Sequence, residues 1–555
     1  MVERIFSLFQ KEWHRLTDAA ILLALFALLS QLLALVRDRI FAHQFGAGET
    51  LDLYYAAFRI PDLLFALVAS FVSAAVIIPL FVDRAERSPE EAQVFFGRVL
   101  AVFSATLSIM AFGVALALPL LLDRFFPSIA LESRDEFLVL SRILLLSPIL
   151  LGISSILGSV AQAHRKFLVY ALSPVLYNVG IILGVLFLYP VWGVVGLGMG
   201  VVLGALLHMA VNIPAIAALP PRFLWRGTVH DIKSVIVLSL PRTLGLSLGQ
   251  ITLFVLIAWA ALLHEGSVTV FTFAFNLQSV PLSIIGVSFS VAAFPTLARF
   301  YAEKNTTAFL DHMMGAARQI IFWSLPAVVL AIVLRAQVVR TILGSGAFTW
   351  DDTRLTAAAF ALFAVSLAVQ SLILLFVRAY YAAGNTKTPL WASGIGAVTT
   401  IGATIILLPL FAEESMIRST LETLLRVSDV AGTEVLALPL AYTIGVFLQG
   451  WILLGLFRRD FGAYGALRRT IAQSALAALM AGGVAYAVLD GMSRAISLDT
   501  FWGVFLQGLV AGVLGIITAA LTLKALKSRE YEEVARSIHA RFWKEKVIAP
   551  SPEEL

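Results

Sequence analysis

The chain has 555 residues, no cysteine, 60% hydrophobic residues and only 14% charged residues. So few charges cannot cover a water-soluble surface, where about 25% is usual, which excludes a soluble globular enzyme; disorder and a disulfide scaffold are excluded by the same composition. The net charge of +5, from 40 Lys and Arg against 35 Asp and Glu, bears on loop orientation at a membrane, and no nucleic-acid partner is expected.

Val2 to Leu16 reads as an amphipathic helix lying on a membrane, giving an N-terminal segment 1–18. No signal peptide is visible, because the first apolar run is too long and lacks a small-residue cleavage site. A bilayer span needs about 20 apolar residues. By that measure 14 transmembrane helices follow, near 19–41, 51–81, 95–122, 137–162, 168–189, 192–216, 234–263, 267–296, 317–343, 353–379, 388–411, 435–457, 470–490 and 500–523. The predicted fold class is an all-α polytopic membrane protein.

Loop charge orients these spans. With charges at span ends counted with the adjoining loop and the N-terminus inside, inside segments hold 27 of the 40 Lys and Arg and outside segments 10. Arg59, Arg142 and Arg242 fall within spans. This positive-inside bias puts both termini in the cytoplasm.

The sequence repeats itself. Ala57-Phe58-Arg59-Ile60-Pro61 leads to Ser73-Ala74-Ala75-Val76-Ile77-Ile78-Pro79, and about 217 residues later Ala274-Phe275-Asn276-Leu277 leads to Ser290-Val291-Ala292-Ala293-Phe294-Pro295. Spans 2 and 8 run in the same direction, so the repeat is parallel: an N-lobe at 19–216 and a C-lobe at 217–457, each of six helices. Two such bundles around a midplane cavity make a transporter. Spans 13 and 14, within 458–523, stand outside the repeat, and 524–555 is a cytoplasmic tail.

Enzyme signatures are missing. There is no GxxxxGK[ST], HExxH or GxSxG, so neither an enzyme, a cofactor nor a metal site is expected. Chemistry must come from polar groups inside spans, which are costly in hydrocarbon and face a cavity or a partner. Span 2 is the richest, with Asp52, Arg59 and Asp62. Arg59 and Asp62 are i,i+3 neighbours, either a gate facing substrate or a self-neutralised pair. Arg37, beside Asp38 and Arg39, either binds an anionic headgroup or snorkels to lipid phosphates. Arg242 follows Pro241 and either faces a cavity or caps helix carbonyls that the proline frees. Arg142 lies deep in span 4. His208 is either a proton carrier or a hydrogen-bonded packing residue. Gln31 and Asn276 add neutral polarity, and Pro61 and Pro241 are expected bends. Gly196, Gly200 and Gly204 form a helix-packing face.

The chain resembles the MurJ/MviN family of lipid II flippases, in the multidrug/oligosaccharidyl-lipid/polysaccharide superfamily. The likeness is carried by Leu35-Val36-Arg37-Asp38, Phe45-Gly46-Ala47-Gly48 with Asp52, and Ala57-Phe58-Arg59-Ile60-Pro61-Asp62-Leu63-Leu64; Gly193-Val194-Val195-Gly196-Leu197, Ile285-Gly286-Val287 and Lys387-Thr388-Pro389 extend it. The resemblance implies 14 helices in a bacterial inner membrane, and export of an undecaprenyl-pyrophosphate-linked peptidoglycan precursor. It also implies a lipid-tail groove formed by helices 13 and 14. It implies Arg37 as a cavity cation and Asp52 as its acidic partner. The sequence departs from the family pattern at Ser30-Gln31, Phe65-Ala66, Ser70-Phe71, Phe275-Asn276 and Ser279, where cationic or acidic residues are usual. Either Arg59, Arg142 and Arg242 replace those cations, or the substrate has changed.

The expected function is therefore flipping of lipid II by alternating access. The expected substrate site is Arg37, Asp52, Arg59, Arg142, Arg242, Gln31 and Asn276, with Asp62, Pro61 and Pro241 as gating residues. Expected partners are lipid II or a related polyprenyl-pyrophosphate glycan, membrane lipids, a coupling ion or the membrane potential, and cell-wall synthesis enzymes. The alternatives are a flippase for another polyprenyl-linked oligosaccharide, a drug exporter, or a non-transporting scaffold for cell-wall synthesis.

Overall fold

A computed structural model describes residues 16–68, 71, 74–216, 220–223, 228–413, 415–462, 467–494 and 500–542. Most of the expected amphipathic segment 1–18 and the end of the C-terminal tail lie outside these residues. The described residues are helical throughout their length apart from turns. In chain order the helices are α1 (Leu16–Phe45), α2 (Glu49–Val68), α3 (Ala74–Arg87), α4 (Pro89–Phe125), α5 (Arg134–Ala163), α6 (Phe167–Trp192), α7 (Val194–Ile216), α8 (Thr228–Ala260), α9 (Ser267–Ala302), α10 (Thr306–Val333), α11 (Arg335–Ile342) and α12 (Trp350–Ala382). Then come α13 (Lys387–Ala412), α14 (Met416–Leu425), α15 (Thr433–Phe461), α16 (Arg468–Ser493), α17 (Phe501–Ala525) and α18 (Arg529–Phe542).

Twelve helices among the described residues are long and apolar enough to cross a membrane. They correspond to expected spans 3 to 14. The expected spans 1 and 2 fold as α1 and as α2 with α3. The stretch 19–36 of α1 is uncharged, whereas α2 carries Glu49, Asp52, Arg59 and Asp62 in 20 residues, too many for an apolar span of its own. Expected span 9 begins earlier than the sequence suggested. Helix α10 starts at Thr306, capped by the Asn305 side chain on the Ala308 amide at 3.0 Å, and stops at Val333 before the separate short helix α11.

The chain divides into two compact units. The first takes the chain as far as Val280, with Ile342–Phe363 and Asn385–Ile452. Its core holds fully buried aromatic rings, among them Phe41, Phe95, Phe137, Phe273 and Phe363. Within it α6 and α7 meet backbone to backbone. A Cβ on Gly180 would lie 2.2 Å from the Gly204 Cα, and one on Gly184 2.4 Å from the Gly200 Cα, so only glycine allows this approach.

The second unit takes Pro281–Thr341, Ala364–Gly384 and the chain from Leu453 on. Here α10, α16 and α17 pack around Phe322, Leu330, Ala477, Ala481, Ala511 and Ala519. The small alanines let α16 and α17 approach closely. Helix α18 docks on this bundle through Glu530, which accepts from Thr470 and Ser528, both at 2.8 Å, and lies 3.9 Å from Arg318. Burial pushes the Glu530 carboxyl up, but its own amide, Ser528, Thr470 and Arg318 outweigh burial and hold it below its ordinary value. A depressed carboxylate stabilises above its unfolded pKa of about 4.3 and loses that contribution as pH falls through the folded value. Acidification below about pH 4.3 should therefore loosen α18, read as faster cleavage within 529–542 by an acid-active protease such as pepsin, and Glu530→Gln should remove most of that pH dependence.

Candidate functional site

The polar groups of α1 and α2 gather in the first unit into a network that local spacing alone would not assemble. Arg37 donates to Asp38 through Nε at 3.0 Å and Nη2 at 2.8 Å, and to Asn178 of α6 through Nη1 at 3.2 Å. Asn178 in turn donates to Ser30 at 3.3 Å and to the Pro174 carbonyl at 3.1 Å. The other Asp38 oxygen accepts from Asn276 of α9 at 3.0 Å. Asp38 is only 3% exposed, so a bare carboxylate there would be costly without these three donors. It is the acidic partner of Arg37 and the hub that ties α1, α6 and α9 together.

One turn deeper in α2, Arg59 Nη1 sits 3.5 Å from Asp62, the i,i+3 pair that the spacing allowed. Arg59 Nε and the hydroxyl of Tyr55 are buried without a hydrogen-bond partner among the described residues. Pro61 is buried inside α2. The two arginines and two aspartates, Arg37, Asp38, Arg59 and Asp62, cancel in charge. Each guanidinium is a planar fork able to exchange a carboxylate for a phosphate, the best-matched oxyanion pair for arginine.

Asp52 has different partners from those its place beside the Arg37 motif suggested. Its Oδ2 accepts from the Gly266 amide at 2.8 Å, and its Oδ1 from the Thr269 amide at 2.8 Å and the Thr269 hydroxyl at 2.6 Å. It thus caps the first turn of α9, where unpaired amides and the helix dipole favour a carboxylate. Gly266 is needed at this turn: its φ is +86°, and an added Cβ would lie 2.3 Å from the Ala47 carbonyl oxygen. Asp52 and Thr269 are 217 residues apart, the interval of the internal repeat. By the same interval Asn276 occupies in the second repeat the place of Arg59 in the first.

The remaining expected site residues do not join this network. Arg142 is exposed on α5 and has no ion-pair or hydrogen-bond partner among the described residues. Gln31 is half-buried on α1. Pro241 and Arg242 lie on the backbone of α8, but their side chains are outside the described residues. His208 sits in a knot joining α5, α6 and α7: its Nδ1 is 2.7 Å from Ser154 Oγ, and Asn212 donates to Ser154, to Ser173 and to the His208 carbonyl.

A second ionic cluster, unnoticed in the sequence because its members read as ordinary loop charges, lies where α3, α4 and α8 meet. Asp231 of α8 is 5% exposed and accepts from Arg84 of α3 and Arg98 of α4, each at 2.7 Å. Arg84 also donates to the Leu80 carbonyl at 2.8 Å and lies over the Phe95 ring at 4.2 Å. Close by, the Arg222 amide bonds the Gln93 carbonyl at 3.1 Å, tying the chain ahead of α8 to the start of α4. Among the described residues no group of three or more His, Asp or Glu is placed to hold a metal ion.

The comparisons agree with this architecture. The family model described as "Lipid II flippase MurJ" matches residues 41–504. A probable lipid II flippase MurJ of Rickettsia prowazekii is 26% identical over 377 residues, covering 67% of this chain and 74% of that protein. One from Haemophilus influenzae is 28% identical over 404 residues, covering 69% and 79%. Among solved structures, a lipid II flippase MurJ in an inward closed conformation superposes with a TM-score of 0.71 at 21% identity, over 91% of this chain and 99% of that one. A multidrug transporter of the MATE family in its inward-facing conformation superposes with a TM-score of 0.62 at 16% identity, over 78% and 94%. With a family model spanning most of its length and a fold shared with those transporters, the chain belongs to the MurJ family of lipid II flippases, integral membrane proteins built of helices.

Proposed function

We propose that this chain carries lipid II from the inner to the outer leaflet by alternating access, with the Arg37–Asp38 network as the place where the pyrophosphate is met. The observation that carries the reading is a charge-balanced, partly buried set of two Arg–Asp pairs on α1 and α2, the first joined to α6 and α9 through Asn178 and Asn276. Charge is retained in hydrocarbon where it serves a cavity or a pathway. When a pyrophosphate enters, Arg37 and Arg59 exchange Asp38 and Asp62 for phosphate oxygens, and the released carboxylates keep Asn276 or meet water. Arg142, exposed and without a partner among the described residues, is a further cation available to the headgroup, and the sequence alone suggests the same role for Arg242. In this reading Asp52 holds α2 to the start of α9 rather than touching substrate, and Asp62, Pro61 and Pro241 belong to the moving parts.

The driving force is an ion gradient, the membrane potential or the headgroup gradient itself, since no nucleotide-binding motif is present. Lipid II exposure on the outer leaflet, assayed during depletion of the protein, tests the function directly. Undiminished exposure would turn the assignment toward another polyprenyl-linked glycan or a drug, for which the fold shared with a multidrug transporter is the supporting observation.

We further propose 14 spans with both termini in the cytoplasm of a bacterial inner membrane. Reporter fusions after Glu414 and after Arg529 should report outside and inside respectively, following the charge bias of the loops. The same location for both would remove the even count.

A further inference from the structure

The connection between α13 and α15 carries a helix whose faces are reversed. In α14 the polar side turns toward the protein. Arg418 donates to Glu422 at 2.8 Å, to the Phe411 carbonyl at 2.6 Å and to Thr433 at 2.9 Å, and pairs with Glu434 at 3.0 Å. The apolar side turns away: Met416, Ile417 and Leu424 are 86%, 46% and 71% exposed. At about 100° per residue, Met416, Thr420, Leu424 and Ile417 share one face spanning roughly 100°. An amphipathic helix on a water-soluble surface does the opposite, turning its apolar stripe to the core.

Its place in the chain says what covers that stripe. Helix α14 begins four residues after Ala412, the last residue of the span α13, so even an extended chain keeps Met416 within about 14 Å of the span's end. Its other end, Leu425, is eight residues before Thr433, where the next span begins. The upper part of α13 already presents Ile405 and Ile406 outward, 58% and 65% exposed, so the apolar face of α14 continues a lipid-facing belt. Glu422, the one acid within 416–425, is paired with Arg418, as is Glu434, so no unpaired acid on the helix itself opposes contact with a membrane surface.

We propose that α14 lies in the membrane interface, with Met416, Ile417 and Leu424 buried at the boundary of headgroups and acyl chains. The occupant of the face is lipid. The helix then fixes the ends of α13 and α15 at one depth, with Arg418 as the peg between helix and span. This rests on the polytopic fold and not on the identity of the substrate.

The absence of cysteine makes the test direct, since any introduced thiol is unique. Met416→Cys, Leu424→Cys and Ser419→Cys variants of the full chain are labelled with an environment-sensitive fluorophore. They are then reconstituted into vesicles of phosphatidylethanolamine and phosphatidylglycerol, with and without acyl-chain-brominated lipid. All three positions are exposed, so the substitutions leave the fold intact. Labels at 416 and 424 should lose about half their emission to brominated lipid and little to aqueous iodide, with the label at 419, on the flank of that face, behaving in reverse. Iodide quenching at 416 and 424 equal to that at 419 would overturn the proposal. So would protection of 416 and 424 from both quenchers, the mark of a protein partner on that face.

Discussion

Arg37→Ala should abolish complementation of a cell depleted of its lipid II flippase, and Arg37→Lys should restore part of it. The alanine leaves Asp38 buried with Asn276 as its remaining donor, and the protein loses the guanidinium that bridges to Asn178. Removing one member of a buried ion pair costs about 3–5 kcal/mol, chiefly because the other charge is stranded. A loss of function could therefore be a loss of folding. Arg37→Gln with Asp38→Asn separates the two, because it strands no charge. If the cluster serves substrate, the double variant should keep a near-native melting temperature yet bind purified lipid II weakly. Native affinity in that variant would make the cluster structural. Lysine keeps the charge but not the planar fork, which accounts for the partial activity expected of it.

Asp231→Ala is expected to be the most destabilising single change at the α3, α4 and α8 junction. It takes the shared carboxylate away from Arg84 and Arg98, whose side chains are each less than a fifth exposed. By the same reasoning the cost is about 3–5 kcal/mol, to be read as a lowered midpoint in thermal unfolding of the purified protein in detergent. Adding Arg84→Leu and Arg98→Leu to the same chain should recover much of the loss, since neutral side chains need no partner. A triple variant as unstable as Asp231→Ala would show that packing, not charge, is what Asp231 supplies.

Hydropathy placed the spans well where the helix is apolar on all sides, as in α7, expected near 192–216 and observed at Val194–Ile216. Its bounds shifted where a separate short helix follows an apolar run, as at α11, and charge leaves α2 outside the twelve helices apolar enough to cross a membrane among the described residues. The internal repeat is legible in sequence at Pro79 and Pro295, 216 residues apart, and Asp52 and Thr269, at nearly the same interval, are hydrogen-bonded. What the sequence did not disclose was partnership. Arg37 and Asp38 are neighbours in sequence and point about 100° apart on an ideal helix, so spacing argues against their pairing. Asn178 and Asn276 lie 141 and 238 residues from the groups they bind, beyond any local pattern. Asp52 was read from its motif as a cavity residue, and only the fold reveals the helix end it covers. Asp231 was counted as one charge in a loop, and nothing in its neighbourhood in sequence marks it as shared by two arginines.

Helix α4 has a mechanical consequence. It contains 37 residues and so extends about 55 Å, well beyond the roughly 30 Å of hydrocarbon. It is fastened to α8 at two distant points: by Arg98 to Asp231 near one end, and by Phe125 to Phe254, with ring centroids 5.1 Å apart, at the other. The two fastenings differ in kind. A lateral slide keeps ring–ring contact, whereas the charge-assisted hydrogen bond of Arg98 to Asp231 is broken once its atoms part beyond about 3.5 Å. Were the helix to tilt about its aromatic end, it would act as a lever on its ionic end. With about 40 Å between the two points, a tilt of about 5° would move Arg98 by about 3.5 Å, enough to break its hydrogen bond to Asp231. A rotation too small to disturb the packing around Phe125 would thus break a bond at the opposite end of the helix, and the length of the helix sets the gain.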